Sequence, residues 1–230
     1  MEDDIFKEIK KEAAITALKQ IADGMVVGLG SGSTSKHFID ALSESGIQTI
    51  CVPTSNQARV DAIELGLDVM DLDEVDEIDI AVDGVDSIGK SAIVKGLGGA
   101  LTKEKIVDYM AKKFIIIADE RKLKEPKMVP VEVLPFAYKL AAKEIEGTGL
   151  GIPKLRRVNG YPLITDNGNF VLDVEMEIGA RGKKLEQEYN AIPGVIENGL
   201  FTRKTHLIVG HIIEGEIKIV EEEWMPEESK

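Results

Sequence analysis

Short runs of apolar residues alternate with amphipathic segments through the first half of the chain. In the first amphipathic segment, apolar side chains recur at steps of four (Ile5, Ile9, Ala13 and Ala17), the spacing of one helix face. The continuous apolar runs are instead typical of strands that are buried on both sides. The pattern predicts helices at 3–20, 36–42, 56–65 and 100–110, and strands at 25–30, 49–52, 67–70, 78–82 and 114–118.

The alternation of strands and helices stops after Lys122. Prolines at 126, 130 and 135 interrupt it. Further on, an Asn-Gly pair stands between two apolar runs, which is a strong signal for a hairpin of 163–165 with 170–174. Helices are predicted at 136–145 and 183–190, and late strands at 206–210 and 217–220.

These elements together predict an α/β fold class. Strands that alternate with helices indicate a Rossmann-like three-layer domain with a mostly parallel sheet. We expect the late strands to return to that sheet, which makes the middle of the chain a smaller inserted α+β (ferredoxin-like) domain. The predicted domains are 1–129 together with 205–230, and 130–204.

The charge balance of the chain restricts its partners. The net charge is −13 over 230 residues, which argues against binding to nucleic acid or to an anionic membrane surface. An anionic substrate would therefore need a local positive pocket. The single cysteine, Cys51, excludes an internal disulfide, and no apolar run is long enough to span a bilayer, so we expect a cytoplasmic protein.

Polar turns follow the carboxyl ends of four predicted strands. In an open α/β sheet these ends face the same way, and ligands bind in the crevice beyond them. We therefore expect the four turns to meet at one rim and to form a binding site. They lie at 31–35, 53–55, 83–86 and 119–122.

The first of these turns has the composition of an anion cradle. Its glycines expose backbone N–H groups, Ser33 and Thr34 add hydroxyls, and the following helix directs its positive end at a bound group. Phosphate fits this arrangement best, although a purely structural strand-to-helix turn is the alternative. The turn is not a dinucleotide fingerprint, because Ser33 stands where the third glycine would be.

A second polar stretch, residues 83–105, carries candidate chemistry. Two aspartates, a lysine and a glutamate surround a glycine-rich turn, and such groups can perform proton transfer on a small polar substrate. A solvated loop with ordinary charges is the alternative. The three histidines, at 37, 206 and 211, lack metal-ligand spacing, so no metal site is predicted.

Four blocks in this order resemble the motifs of type A ribose-5-phosphate isomerases. They are GLGSGST at 28–34, PTS at 53–55, DGVD at 83–86 and KGLGGALTKEK at 95–105, and NGLF at 198–201 is also similar to that family. Val85 departs from the alanine that the family often has, and residues 87–89 replace a more acidic continuation. The resemblance covers nearly the whole chain.

The resemblance implies isomerisation of ribose 5-phosphate and ribulose 5-phosphate in the non-oxidative pentose phosphate pathway, without cofactor or metal. It implies that Glu104 is the catalytic base, and that Asp83, Asp86 and Lys95 are further catalytic residues. It also implies a homodimer or homotetramer whose small-molecule partner is a sugar phosphate. The substrate-binding residues that it implies are Gly30, Ser31, Gly32, Ser33, Thr34, Gly84, Val85, Gly96, Gly98, Lys122 and Lys10, with Lys7 or Lys11 as alternatives to Lys10.

The chemistry of these residue types is consistent with an aldose–ketose isomerase, which moves a proton between adjacent carbons through an enediolate. Glu104 begins a predicted helix, whose dipole would hold it ionised unless burial raises its pKa. Lys95 would stabilise the developing oxyanion. Asp83 would assist ring opening and Asp86 would orient Lys95 or bind hydroxyls, with loop capping as the alternative for both aspartates.

Two other function classes stay open on sequence grounds. A non-catalytic phosphosugar sensor would share the fold, because fold does not fix function. A sugar-phosphate deaminase-like enzyme would need a histidine for ring opening, and none of the three histidines lies in the predicted site loops.

Overall fold

The structure, a computed structural model, describes residues 2–179 and 181–227. Its helices are α1 (Glu2–Leu18), α2 (Gly32–Ser45), α3 (Asn56–Glu64), α4 (Leu101–Met110), α5 (Tyr138–Gly147) and α6 (Gly182–Asn190), with 3-10 turns at Leu72–Glu74, Glu120–Lys122 and Pro135–Ala137. Its strands are β1 (Val26–Leu29), β2 (Ile50–Pro53), β3 (Asp68–Val69), β4 (Ile78–Asp83), β5 (Ser87–Ile88), β6 (Ile93–Val94), β7 (Ala111–Asp119), β8 (Met128–Val133), β9 (Ile152–Leu155), β10 (Arg157–Val158), β11 (Tyr161–Pro162), β12 (Phe170–Glu175), β13 (Val195–Asn198), β14 (Leu200–Phe201), β15 (Thr205–Ile213) and β16 (Glu216–Trp224).

The described residues form two compact units. The first takes in the described residues of Met1–Val85, Ile106–Leu123 and Lys204–Trp224, and the second those of Asp86–Lys105, Lys124–Arg203 and Met225–Lys230.

These units differ from the predicted domains, 1–129 with 205–230 and 130–204. Residues 86–105 and 124–129 belong to the second unit, and the division falls inside α4. The physical reason is a small sheet of the second unit, in which β6 pairs antiparallel with β5 and with β14. Met1, Ala180 and residues 228–230 of the predicted domains lie outside the described residues.

The first unit is built on a seven-stranded sheet in the order β16-β15-β7-β4-β1-β2-β3. Every neighbouring pair is parallel except β15 with β16, which places one antiparallel strand at the edge. The predicted α/β class and the return of the late strands are confirmed. The strand predicted at 114–118 begins earlier, because β7 also includes the charged residues Lys112 and Lys113.

Helices cover both faces of this sheet. Alternate strand residues such as Val27, Val82 and Ile115 form one core with side chains of α1, α2 and α3. On the opposite face, a Cβ on Gly28 would lie 2.7 Å from Cγ1 of Val107 in α4. Gly28 therefore allows the end of α4 to lie against β1, and the unit has three layers.

The observed helix boundaries follow local capping chemistry, and α2 is longer than the helix predicted at 36–42. Ser55 Oγ accepts a hydrogen bond from Ala58 N at 3.0 Å and caps the start of α3, which agrees with the helix predicted at 56–65. Gly46, with a φ of 76°, ends α2 in the left-handed conformation that glycine adopts without strain. Within the described part of the chain, no helix has both the length and the apolar character needed to cross a bilayer.

The second unit contains a four-stranded antiparallel sheet in the order β13-β8-β12-β9. Along the chain, α5 follows β8 and α6 follows β12, which is the split βαβ arrangement of ferredoxin-like domains. The inner faces of the helices and strands form a separate core, with Tyr189 and Leu185 of α6 fully buried. The ferredoxin-like prediction is confirmed.

The predicted hairpin is wrong in its first strand. Residues 163–165 do not form a strand, and β12 pairs instead with β8 and β9. The turn itself is present, since Gly168 N donates to Thr165 O at 2.9 Å. Pro130 also lies inside the interior strand β8, where it removes one ladder donor while its carbonyl accepts from Gly199 N at 2.8 Å.

Candidate active site

Within the first unit, Asp83 stands at the end of β4 and is fully buried. Its Oδ1 accepts hydrogen bonds from Ser31 N at 3.1 Å, from Ser35 Oγ at 2.9 Å and from Gly84 N at 2.6 Å. This carboxylate therefore joins the end of β4 to the start of α2. Ser35 was not predicted as a site residue, although it belongs to the turn that the sequence singled out.

Gly30 makes the approach of Asp83 possible. A Cβ at position 30 would lie 2.1 Å from Asp83 Oδ1 and 2.5 Å from Asp83 Cα, distances that no side chain tolerates. Gly30 N also donates to Val82 O at 2.9 Å. The glycine is needed here for close contact between two strands.

The start of α2 has the features of an anion site. Ser31 is the N-cap, and Gly32 has a φ of 86°, which favours glycine. The N–H groups of the first helical turn lack intrahelical acceptors, and the helix dipole adds positive potential there. Thr34 is half-buried, and Ser33 is exposed beside a cavity of about 290 Å³ that is also lined by Gly30, Gly32 and Lys36.

The four turns predicted to converge contain residues that the first unit brings together. Ser31 Oγ lies 2.8 Å from Thr54 Oγ1, and Ser31 N contacts Asp83 as described above. From α1, Lys10 Nζ donates to Ser33 Oγ at 3.3 Å. Among the three candidate lysines of α1, Lys10 is thus placed at the cradle.

Two cations, Arg121 and Lys10, act on Asp119, which ends β7. Arg121 donates to Asp119 Oδ1 through Nε at 2.8 Å and to Oδ2 through Nη2 at 2.9 Å. Burial alone would raise the pKa of Asp119, but the hydrogen bonds and charge of Arg121 outweigh it and hold the pKa below its usual range. Burial lowers the pKa of Lys10; Asp119 opposes this, while Lys122 and Arg121 reinforce it. Lys122 is thus placed in the electrostatic surroundings of Lys10.

Within the second unit, Lys95 and Glu104 form a buried ion pair. Lys95 Nζ lies 3.5 Å from Glu104 Oε2, and their side chains are 2% and 7% exposed. Lys95 follows β6, and Glu104 lies in the first turn of α4. The Lys95 ammonium also lies 5.7 Å from the centre of the Phe201 ring, within cation–π range.

The glycine turn between Lys95 and α4 is held by Asp86. Asp86 Oδ2 accepts a hydrogen bond from Leu97 N at 2.8 Å. Gly96 has a φ of 97°, and Gly98 is exposed with open space around its Cβ position. Asp86 thus fixes the backbone beside Lys95, a contact that corresponds to the loop-capping alternative.

The remaining predicted residues are Gly84 and Val85 of the first unit. Gly84 N donates to Ser35 Oγ as well as to Asp83, and Val85 is half-buried. In residues 2–179 and 181–227, no group of three or more His, Cys, Asp or Glu side chains is arranged to hold a metal ion. The expectation of a reaction without metal or cofactor stays a prediction.

Known proteins resemble this chain along most of its length. Residues 50–212 match the family profile of Ribose 5-phosphate isomerase A (phosphoriboisomerase A). Ribose-5-phosphate isomerase A of Methanococcus aeolicus is 46% identical over 213 residues, which are 87% of this chain and 90% of the relative.

Solved structures agree with that assignment. Ribose 5-phosphate isomerase A from Methanocaldococcus jannaschii has a TM-score of 0.86 at 38% identity and covers 94% of this chain and 99% of its own. A D-ribose-5-phosphate isomerase in complex with phospho-erythronic acid has a TM-score of 0.87 at 43% identity, with the same coverage. The resemblance inferred from the sequence motifs is confirmed, and the chain belongs to the ribose-5-phosphate isomerase A family.

Proposed function

We propose that this chain interconverts D-ribose 5-phosphate and D-ribulose 5-phosphate through an enediolate, as a step of the non-oxidative pentose phosphate pathway. Family membership supports this activity over the phosphosugar sensor. The observation that carries the mechanism is the buried pair of Lys95 and Glu104, 3.5 Å apart. A carboxylate and an ammonium shielded from water are the two groups that proton transfer next to a carbonyl needs.

Glu104 is the base in this proposal. Its carboxylate takes the proton from C2 of the open-chain aldose, and the electron pair of the broken bond forms a C1–C2 double bond. The negative charge then develops on O1, where the Lys95 ammonium stabilises it. Glu104 returns the proton to C1, and the hydroxyl proton of O2 moves to O1 to leave the ketose carbonyl.

The two aspartates have supporting roles. We assign Asp83 to the movement of the hydroxyl proton when the furanose ring opens, because its carboxylate is buried and fixed by three hydrogen bonds on Oδ1. Asp86 fixes the turn after Lys95 through Leu97 N. Gly96 and the exposed Gly98 of the second unit, and Gly84 and Val85 of the first, are assigned to contacts with the sugar.

The phosphate is assigned to the cradle at the start of α2. Ser33, Thr34 and the backbone of residues 30–32 offer donors, and a helix N-terminus favours an anion. Lys10, bonded to Ser33, and Lys122 supply positive charge. This local charge is what a phosphate substrate requires in a chain of net charge −13.

The activity is tested by following ribose 5-phosphate in D₂O by NMR. We expect ribulose 5-phosphate to form and deuterium to enter at C1, because the carboxyl proton of Glu104 exchanges with solvent. Binding of the sugar phosphate without conversion would indicate a sensor. Conversion without any deuterium in the product would contradict a carboxyl proton on Glu104 that exchanges with solvent.

We also propose that the protein assembles as a homodimer or homotetramer and works in the cytoplasm. Large apolar side chains of the second unit are exposed, including Phe136 at 101% and Tyr161 at 77%, and burial of such side chains favours association. The buried free thiol of Cys51 is compatible with a reducing compartment. Multi-angle light scattering tests the assembly, and a monomer at micromolar concentration would contradict it.

A further inference from the structure

Arg156, which lies between β9 and β10, reaches the glycine turn that follows Lys95. Its Nη1 donates to Gly96 O at 3.0 Å and to Leu97 O at 2.8 Å. The rest of the guanidinium is held by Asp173 of β12: Nε donates to Asp173 Oδ2 at 2.9 Å, and Nη2 donates to Oδ1. One side chain, only 11% exposed, thus connects the ferredoxin-like sheet to the turn.

The turn is held from two sides. Asp86 accepts from Leu97 N, while Arg156 binds the carbonyls of Gly96 and Leu97. Gly99 N also donates to Gly96 O at 3.0 Å, which closes the turn. The planar guanidinium presents its donors in a fixed geometry, so it fixes the orientation of two successive peptide groups as well as the position of the turn.

This turn joins the two members of the buried ion pair. Lys95 immediately precedes it, and Glu104 lies in the first turn of the helix that follows. A Cβ on Gly96 would lie 2.4 Å from Leu101 Cβ, so the turn is also packed directly against the start of α4. A shift of the turn would therefore change the position of Lys95 relative to Glu104.

We propose that Arg156 is a positioning residue for the isomerase reaction, acting through the turn at 96–99 to hold Lys95 and Glu104 in reactive geometry. The proposal rests on the function proposed above. It assigns Arg156 no contact with the substrate, and it gives Asp173 the role of orienting the guanidinium. No local sequence pattern indicates this role, because Arg156 contacts a turn 60 residues away.

Kinetics of Arg156→Ala test the proposal, with Arg157→Ala as the matched control. Arg157 is the next residue, is exposed, and donates to Gly160 O within its own hairpin. We expect kcat of Arg156→Ala to fall by about 100-fold, the effect typical of a misplacement near 1 Å, with KM changed less than threefold. Arg157→Ala should retain kcat within twofold.

Chemical rescue separates positioning from simple loss of stability. Added guanidinium at millimolar concentration should raise the kcat of Arg156→Ala at least tenfold and should leave the kcat of the wild type unchanged. The kcat of Arg156→Lys should stay below the kcat of Arg156→Ala measured with added guanidinium. One ammonium cannot bind both carbonyls and also pair with Asp173. A kcat within twofold of wild type in Arg156→Ala, or a loss without any rescue, would overturn the proposal.

Hydrogen exchange provides a readout that does not depend on turnover. The peptide covering 96–99 should exchange faster in Arg156→Ala and in the milder Asp173→Asn, and should be unchanged in Arg157→Ala. If the wild type fails to isomerise ribose 5-phosphate, the proposed function fails, and this exchange pattern alone decides whether Arg156 holds the turn. Equal exchange in all variants would refute that role.

Discussion

Replacing Gly30 with alanine tests the close contact on which the Asp83 cluster depends. The added Cβ would lie 2.1 Å from Asp83 Oδ1, and it would also lie 2.5 Å from Asp83 Cα. Rotation of the aspartate side chain relieves only the first overlap. The ends of β1 and β4 must therefore separate, and the Gly30 N to Val82 O hydrogen bond must lengthen.

The cost has two parts. Overpacking of a well-packed site costs about 1–3 kcal/mol. Weakening the hydrogen bonds from Ser31 N and Ser35 Oγ to the buried carboxylate adds about 1.5–3 kcal/mol for each bond that is lost. We expect a loss in the free energy of unfolding of roughly 3 kcal/mol, which lowers Tm by about 6–12 °C in a chain of this size.

Thermal unfolding followed by circular dichroism, together with isomerase activity at 25 °C, measures both effects. Gly46→Ala is the control, because no atom lies within 4 Å of the Gly46 Cβ position, so an alanine there meets only the cost of the left-handed φ of 76° and no steric overlap. We expect Gly46→Ala to cost about 1–2 kcal/mol with normal activity, and Gly30→Ala to lose at least 100-fold in kcat/KM. A Gly30→Ala protein with wild-type Tm and activity would refute the steric argument.

Three further predictions concern charge and burial. Lys10→Ala should raise KM for the sugar phosphate by about 10- to 100-fold with little change in kcat, because it removes a charge at the cradle; an unchanged KM in steady-state kinetics would exclude Lys10 from phosphate binding. Asp119 has a pKa below its usual range, so it contributes stability above the unfolded value of about 3.9 and loses that contribution as pH falls through the lower folded value. The stability difference between wild type and Asp119→Asn should therefore be constant from about pH 5 to 8 and shrink below about pH 4, and a difference that grows in acid would contradict this. Burial raises the pKa of the Cys51 thiol, so it should react with a thiol reagent at pH 8 only after unfolding; rapid reaction of the native protein would be inconsistent with the buried site.

The sequence pattern predicted those helices and strands whose own residues show a clear apolar run or an amphipathic period. The continuous apolar runs identified β1, β2 and β4, and the amphipathic pattern at 56–65 identified α3. Strands of two residues, such as β5, β6 and β14, are too short to show any period, so the small sheet that moves 86–105 into the second unit could not be predicted.

Non-local pairing explains the remaining errors. The Asn167-Gly168 turn is real, but Phe170–Glu175 finds its partners in β8 and β9 because those strands bury its apolar face. Strand β8 was not predicted because it contains Pro130, and a proline normally argues against an interior strand since it lacks the backbone N–H.

The residues of the candidate site also differ in how far they could be predicted from the sequence. Asp83, Lys95 and Glu104 follow strand ends or begin a helix, so their positions could be read along the chain. Arg156 contacts that stretch from far along the chain, and no local pattern indicates such a contact. Phe201 lies in the block at 198–201 that resembles the family, but the resemblance did not indicate its contact with Lys95. Sequence analysis therefore indicated the groups proposed to perform the chemistry, together with Asp86 beside the turn, but it did not indicate Arg156.

The most direct test of the account is kcat of Glu104→Gln with saturating ribose 5-phosphate, beside Glu146→Gln on the exposed face of α5 as control. The amide keeps the size of the side chain but cannot accept a proton at neutral pH. We expect kcat of Glu104→Gln to fall by at least about 1,000-fold, within the 10²–10⁴ range of a removed general base, while the sugar phosphate still binds. A Glu104→Gln enzyme that turns over within tenfold of the wild type would contradict Glu104 as the base.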